Sequence, residues 1–195
     1  MDTSNDIRPG EVRFPADPAG ADDARLCFIG LIHSPWRTRA ECPKNVRIAR
    51  ERGEGATIEI DEPFRLALTG LAAGQGLHVL SWLGDARRDL ALQMPKHAEA
   101  PRGTFSLRSP VRPNPIGLHL VRITAIDIAA GRIEIDAIDT LDGTAVLDLK
   151  PYFESVDLLP AAGHATDTST VDASVADDHA GAAALLSAAD HAETQ

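Results

Sequence analysis

The 195-residue chain has only two cysteines, few aromatic residues and no long apolar run. Cys27 and Cys42 lie far apart, with no Cys-x-x-Cys pair and no paired histidines, so the sequence predicts neither a disulfide framework nor a metal site. No segment approaches the roughly 18 apolar residues of a membrane span, and the N-terminus lacks the basic and apolar regions of a signal peptide. We therefore expect a cytoplasmic protein without a membrane segment.

Common cofactor and catalytic motifs are also missing. No Gly-x-Gly-x-x-Gly follows a predicted strand, which argues against a Rossmann fold and against the doubly wound methyltransferase fold. The chain has no phosphate-binding Walker loop, no Gly-x-Ser-x-Gly elbow and no His-Glu-x-x-His helix. Hydrolase and NTPase functions therefore have little support.

The net charge of −10 is unevenly distributed along the chain. Residues 1–24 carry six acids and two arginines, and residues 151–195 carry eight acids and no lysine or arginine. Residues 25–150 hold the other 17 basic and 15 acidic residues. An acidic chain disfavours nucleic acid as a partner, because neutralised phosphates supply much of the affinity. The mildly basic middle permits RNA binding without indicating it.

Composition divides the chain into three parts. We expect a flexible N-terminal arm at 1–24, one domain at 25–160, and a mostly disordered acidic, Ala-rich tail at 161–195 with helix propensity over 182–190. The domain is predicted to be mainly β, with strands at 26–32, 57–60, 77–83, 105–107, 118–128, 133–138 and 146–149. Short helices are predicted at 63–71 and 85–93. This spacing favours a small antiparallel β-barrel of six or seven strands with a few short flanking helices.

Residues 103–117 (GTFSLRSPVRPNPIG) form the most distinctive segment. Three prolines fix their own φ and bias the preceding residues toward extended conformations, so the loop is ordered before it meets a ligand. Arg108 and Arg112 offer planar cationic donors, and Asn114 offers both a donor and an acceptor. The alternative is a stiff structural turn with solvated arginines.

A second candidate is the turn at 139–144, which holds Asp139, Asp142, Gly143 and Thr144. Two carboxylates and a hydroxyl in one turn suit a ligand with a cationic group, although an Asp-Gly hairpin turn with solvated carboxylates explains the same residues. Tyr152, the only tyrosine, is expected either to stack on a base or to pack against the core.

Four ordered motifs resemble the TsaA-like family, also called the TrmO family of tRNA methyltransferases. They are residues 29–35 (IGLIHSP), 77–83 (LHVLSWL), 103–117 and 141–152 (LDGTAVLDLKPY). The resemblance implies a β-barrel that binds S-adenosylmethionine at a homodimer interface, where the partner covers strand 77–83 or its neighbours. It implies N6-methylation of the threonylcarbamoyl-modified adenosine beside the anticodon of tRNA.

The resemblance also implies the site residues. Those expected at the cofactor are Lys44, Asn45, Val46, Gly84, Asp85, Arg108, Leu118, Leu141, Asp142, Gly143 and Thr144. Arg112, Asn114 and Tyr152 are expected to contact the substrate. The proton released on methyl transfer needs an acceptor, and Asp142, Asp139 and Asp85 all remain candidates.

The chain departs from the family at several positions. Lys44-Asn45 replaces the usual Arg-Gln pair, and Gly84-Asp85 stands where many members have His-Gln, so the chain resembles a divergent subgroup. His78 and His119 are expected to be structural. Two alternatives remain: methyl transfer to a small molecule or another acceptor, and a non-catalytic barrel that binds S-adenosylmethionine or RNA.

Overall fold

The computed structural model describes residues 6–96 and 98–159. Within them lie nine strands and two α-helices: β1 Val12–Arg13, β2 Gly30–His33, α1 Val46–Arg52, β3 Ala56–Ile60, β4 Gly76–Trp82, β5 Leu90–Gln93, β6 Arg102–Gly103, β7 Ile116–Asp127, β8 Arg132–Ile135, β9 Thr144–Pro151 and α2 Glu154–Asp157. Short 3-10 helices occupy Pro18–Gly20, Glu62–Leu68 and Thr104–Ser106.

Six antiparallel strands close into a barrel in the order β2-β3-β8-β7-β4-β9. The predicted six-stranded or seven-stranded antiparallel barrel is therefore confirmed. β4 pairs with β7 on one side and with β9 on the other. Strand 77–83 is therefore not an edge strand, because closure of the barrel occupies both of its edges. Coverage of this strand or its neighbours by a partner subunit stays a prediction.

Alternation along the strands fills the barrel with β-branched and leucine side chains. Inward-facing positions are buried, among them Ile32, Ile58, Leu77, Val79, Ile123, Ile133 and Val146. Trp36 packs against this core, and its indole N–H donates to the Ile138 carbonyl at 2.8 Å. Burial of this apolar surface, at about 25 cal/mol per Å², is the main stabilising contribution.

A smaller sheet of order β1-β5-β6 lies beside the barrel. It includes part of the segment predicted to be a flexible arm, because Val12–Arg13 pairs with β5 and Glu11 is buried. Burial by itself would raise the pKa of Glu11, but the hydrogen bonds and the positive charge of Arg8 together hold this pKa below its ordinary value. The acidic tail at 161–195 and the helix at 182–190 lie outside the described residues.

The helical predictions had mixed outcomes. The segment predicted at 63–71 contains the 3-10 helix Glu62–Leu68. The helix predicted at 85–93 is wrong: a turn leads into β5, whose Leu90 and Gln93 side chains are buried as strand residues. The strand predicted at 105–107 overlaps a 3-10 turn. Helix α1 was not predicted.

Candidate functional site

An open cleft of about 1640 Å³ lies beside the first half of β7. β7 pairs with β4 from Ile116 onward, whereas its pairing with β8 begins only at Ile123. The edge before Ile123 is therefore free of strand pairing. Arginine side chains reach it instead, Arg108 donating to the Leu118 carbonyl at 3.1 Å and Arg50 to the Leu120 carbonyl at 3.2 Å.

The cleft gathers residues from distant parts of the chain. All eleven residues predicted at the cofactor line it: Lys44, Asn45, Val46, Gly84, Asp85, Arg108, Leu118, Leu141, Asp142, Gly143 and Thr144. Asp139 and Arg112 line it as well. Asn114 and Tyr152 do not. Tyr152 instead lies against His78, with ring centroids 5.8 Å apart, so the structure places it with a different group of residues.

The Asp-Gly turn is fastened to the segment after β2. The Asp142 carboxylate accepts from the Ser34 backbone N–H at 3.1 Å and pairs with Arg37 at 2.6 Å. The backbone N–H groups of Asp142 and Gly143 donate to the carbonyls of Trp36 and Ile32. Gly143 has φ +76°, a conformation that glycine adopts without steric cost. Both oxygens of Asp142 are thus engaged within the protein.

The proline loop, which comprises residues 103–117, is held by side chains as well as by its prolines. Arg112 donates to the carbonyls of Leu107 and Ser109, and Arg88 donates to the Pro113 carbonyl. The buried Gln93 amide donates to the Val111 carbonyl at 2.6 Å. Part of the Arg112 guanidinium, predicted to contact substrate, therefore stabilises its own loop. A loop fixed in this way loses little conformational entropy on binding.

Other predicted cofactor residues differ in whether their side chains already bind another part of the protein. The Asn45 side-chain oxygen caps α1 by accepting from Ile48 N–H at 2.9 Å. Both of its amide N–H groups remain available. Lys44 is exposed and forms no ion pair with another described residue. The carboxylate of Asp85 has no described partner either, although its backbone carbonyl accepts from Arg39 at 3.4 Å.

A buried hydrogen-bonded chain ends at Asp139. His119 Nδ1 lies 2.6 Å from Asp139 Oδ1, and its Nε2 lies 2.9 Å from the Ser81 hydroxyl. His119 is therefore structural in part, as predicted for a lone histidine, but it also contacts a cleft carboxylate. Sequence reasoning did not connect the three residues, and His119 lacks any local signal that would have done so.

Cys42 lies in the same cleft and is partly buried. Burial, with a smaller effect from the Asp139 carboxylate, raises the pKa of the Cys42 thiol from 9.0 to about 11. The nucleophilic form of cysteine is the thiolate. At neutral pH Cys42 is therefore protonated and is not expected to act as a nucleophile.

The walls of the cleft are basic and apolar, unlike the acidic chain as a whole. They carry three acids, Asp85, Asp139 and Asp142, and seven basic residues: Arg37, Arg39, Lys44, Arg47, Arg50, Arg108 and Arg112. Arg37, Arg47 and Arg50 are paired with carboxylates, and the other four have no carboxylate partner among the described residues. Phe28 and Phe105 add exposed aromatic surface that sequence analysis did not single out.

A family model for the tRNA-methyltransferase O N-terminal domain matches residues 31–158. The chain belongs to the TrmO family. The matched TrmO segment contains the whole barrel except one residue of β2, and it contains every predicted site residue. This match confirms the family predicted from the four motifs. TrmO proteins are S-adenosylmethionine-dependent methyltransferases.

Individual relatives agree with this assignment. The chain is 39% identical to a probable S-adenosyl-L-methionine-binding protein VirR of Rhizobium radiobacter, over 76% of this chain and 81% of the relative. It is 48% identical to a tRNA (adenine(37)-N6)-methyltransferase of Eikenella corrodens, over 31% of this chain and 35% of that protein. The crystal structure of TrmO from Pseudomonas aeruginosa superposes with a TM-score of 0.55 at 30% identity, covering 72% of this chain and 60% of the other.

The donor groups of the cleft suit the cofactor named in these relatives. S-adenosylmethionine presents a sulfonium, an amine, a carboxylate and an adenine. The carboxylate of Asp85, the cations of Lys44 and Arg108, and apolar cover from Leu118 match these groups in kind. Among residues 6–96 and 98–159, no group of three or more metal-ligating side chains could hold a metal ion. In the same residues no helix is long and apolar enough to cross a membrane.

Proposed function

We propose that this protein uses S-adenosylmethionine to methylate N6 of the threonylcarbamoyl-modified adenosine beside the anticodon of tRNA. The observation that carries the proposal is the convergence of eleven predicted cofactor residues on one cleft whose walls are basic. A cleft that carries seven basic and three acidic residues on a net acidic protein is suited to an anionic substrate. The tRNA (adenine(37)-N6)-methyltransferase relative supports the choice of acceptor.

Under this proposal the residues of the cleft have three roles: binding the cofactor, binding the substrate and holding the Asp-Gly turn. Arg108 and Lys44 bind the carboxylate end of the cofactor, and Asp85 attracts its cationic groups. Bound S-adenosylmethionine supplies an electrophilic methyl group. Arg39 and Arg112, on the rim with Phe105, hold the phosphate backbone and stack on an unpaired base. Asp142 keeps the Asp-Gly turn in place.

We further propose that two copies of the chain form the working unit. The outward face of β7 exposes Ile116, Leu118 and Leu120, which are 39%, 49% and 42% exposed and line the open cleft. A row of apolar side chains on an otherwise polar surface is typical of an interface. A two-fold axis through this face would bring a second set of cleft residues near the first.

Two measurements test the function. Titration calorimetry with S-adenosylmethionine should show binding, and mass spectrometry of tRNA nucleosides from a deletion strain should show loss of the methylated threonylcarbamoyl-adenosine. Reintroducing the wild-type gene is the control and should restore the nucleoside. Binding without any change in tRNA would exclude the tRNA substrate and favour a small-molecule acceptor or a non-catalytic binding protein. Absence of binding would exclude the cofactor as well.

A further inference from the structure

The hydrogen-bonded chain of Ser81, His119 and Asp139 runs from the interior of the barrel to the cleft, and solvent exposure increases along it. Ser81 is fully buried, the His119 side chain is 6% exposed, and the Asp139 side chain is 18% exposed. Serine, histidine and aspartate in this order occur in serine hydrolases, where the serine hydroxyl must meet the substrate. Here the serine is inaccessible and the carboxylate faces the cleft, so the arrangement excludes Ser81 as a nucleophile.

The hydrogen bonds also assign the histidine tautomer. A carboxylate only accepts, so the Nδ1 atom at 2.6 Å from Asp139 carries the proton. In neutral imidazole the Nε2 atom then accepts from the Ser81 hydroxyl at 2.9 Å. Asp139 Oδ1 is occupied by this contact. Oδ2 has no hydrogen-bond partner among the described residues.

Gly117 of the proline loop leaves space for this chain. A Cβ atom at position 117 would lie 2.3 Å from Ser81 Oγ and 2.5 Å from His119 Nε2. Gly117 is paired directly with Ser81 across β7 and β4. Any side chain at this position would therefore displace the contact between Ser81 and His119. Packing therefore requires glycine at position 117. Backbone conformation does not require it, because the φ of Gly117 is not in the left-handed region.

We propose that Ser81 and His119 are positioning residues that aim Asp139 Oδ2 into the cleft as the proton acceptor for methyl transfer. This rests on the proposed function. As the acceptor nitrogen attacks, the N–C bond forms, the S–C bond of the sulfonium breaks with its electron pair going to sulfur, and the N–H proton moves to Asp139. Asp142 is unsuited to this task because both of its oxygens are engaged. Asp85 lies on an exposed turn, and no described residue orients its carboxylate.

Steady-state kinetics of the full chain with tRNA test the role. Asp139→Asn should lower kcat on the order of 100-fold, the size typical for loss of a general base. His119→Gln should lower kcat by about tenfold or more through misplacement of the carboxylate, with KM for S-adenosylmethionine unchanged. His119→Asn, whose amide can take the place of Nδ1–H, should restore part of kcat. Equal kcat values for His119→Gln and the wild type would overturn the role.

His78 provides a matched control. It is also a partly buried histidine beside an aspartate, with Nε2 at 3.5 Å from Asp157, but it lies outside the cleft. His78→Gln should leave kcat unchanged. If His78→Gln and His119→Gln lower kcat equally, the effect is a general loss of stability and the positioning role is excluded.

Imidazole ¹⁵N chemical shifts of the free protein test the arrangement without activity. His119 should show the Nδ1–H tautomer, Asp139→Asn should shift its Nδ1 signal, and Ser81→Ala and Gly117→Ala should shift its Nε2 signal. An Nε2–H tautomer, or no response to Asp139→Asn, would overturn the proposal even if the protein methylates tRNA. If these shifts appear but the wild type transfers no methyl group to tRNA, the proposed function fails and the role of Asp139 as proton acceptor fails with it.

Discussion

The carboxylate of Asp142 accepts a hydrogen bond from the backbone N–H of Ser34 at 3.1 Å, although 108 residues separate them. The contact joins two of the four family motifs and places the Asp-Gly turn at the wall of the cleft. Arg37 binds the other carboxylate oxygen at 2.6 Å, so each oxygen of Asp142 contacts a residue of the segment after β2.

Asp142→Ala should lower the free energy of unfolding by about 1–3 kcal/mol, because the N–H of the buried residue Ser34 loses its acceptor. Affinity for S-adenosylmethionine should fall with it, since the turn lines the cleft. Chemical denaturation and calorimetry measure the two effects. Asp148→Ala is the control, because Asp148 pairs with Lys150 at the surface and otherwise accepts only from the N–H of its neighbour Leu149, so its loss should change stability little. Equal stability of the two variants would contradict the role of Asp142 as an anchor.

Arg108→Ala should weaken S-adenosylmethionine binding by on the order of 1.5–3 kcal/mol, about tenfold or more, with the fold intact. The lost interaction is a charge-assisted hydrogen bond to the cofactor carboxylate. Calorimetry measures the change. Arg132→Ala removes an arginine that pairs with Glu134 outside the cleft and should bind like the wild type. Unchanged affinity of Arg108→Ala would remove Arg108 from the site.

The Cys42 thiol should react slowly at neutral pH. In a Cys27→Ser background, alkylation by iodoacetamide should accelerate as pH rises toward 11, following the thiolate. Because the unfolded thiol has the ordinary pKa of 9.0, the unfolded state loses its proton first, and the free energy of unfolding should fall between pH 9 and about 11. Cys42→Ser in the same background should lack this component. Rapid alkylation at neutral pH would show that the thiol is not shielded.

Removal of residues 1–15 should destabilise the protein, whereas removal of residues 1–5 should not. The longer truncation removes β1 and the buried Glu11 from the edge of β5. β5 also carries Gln93, which holds the proline loop, so affinity for S-adenosylmethionine should decrease as well. Thermal unfolding and calorimetry compare the two truncations. Identical melting temperatures would show that β1 contributes nothing to stability.

Leu118→Asp should convert the proposed dimer to a monomer and weaken cofactor binding. A charge on the apolar face of β7 is unfavourable once a partner covers it. Light scattering at low micromolar concentration measures the mass. Leu66→Asp changes an 83% exposed leucine outside the cleft and should leave the mass unchanged. A wild-type monomer that binds cofactor at full stoichiometry would exclude the dimer as the working unit.

Residue types and their spacing along the chain were sufficient to predict much of the secondary structure of this protein. Alternating apolar residues predicted the barrel strands, because a β-strand places successive side chains on opposite faces. The prolines of residues 103–117 and the glycine after Asp142 predicted a rigid loop and a turn, because both residue types restrict or permit φ directly. The helix predicted at 85–93 failed where helix propensity was outweighed by pairing of β5 with β1 and β6.

Tertiary structure alone decided which of these groups are available for chemistry. The sequence could not choose among Asp85, Asp139 and Asp142. The structure distinguishes them because Asp142 is engaged by Ser34 and Arg37, while Asp139 meets His119 on one oxygen only. Such contacts join residues that are distant along the chain, and no propensity or spacing encodes them. They form only when closure of the barrel brings β4, β7 and the turn before β9 together.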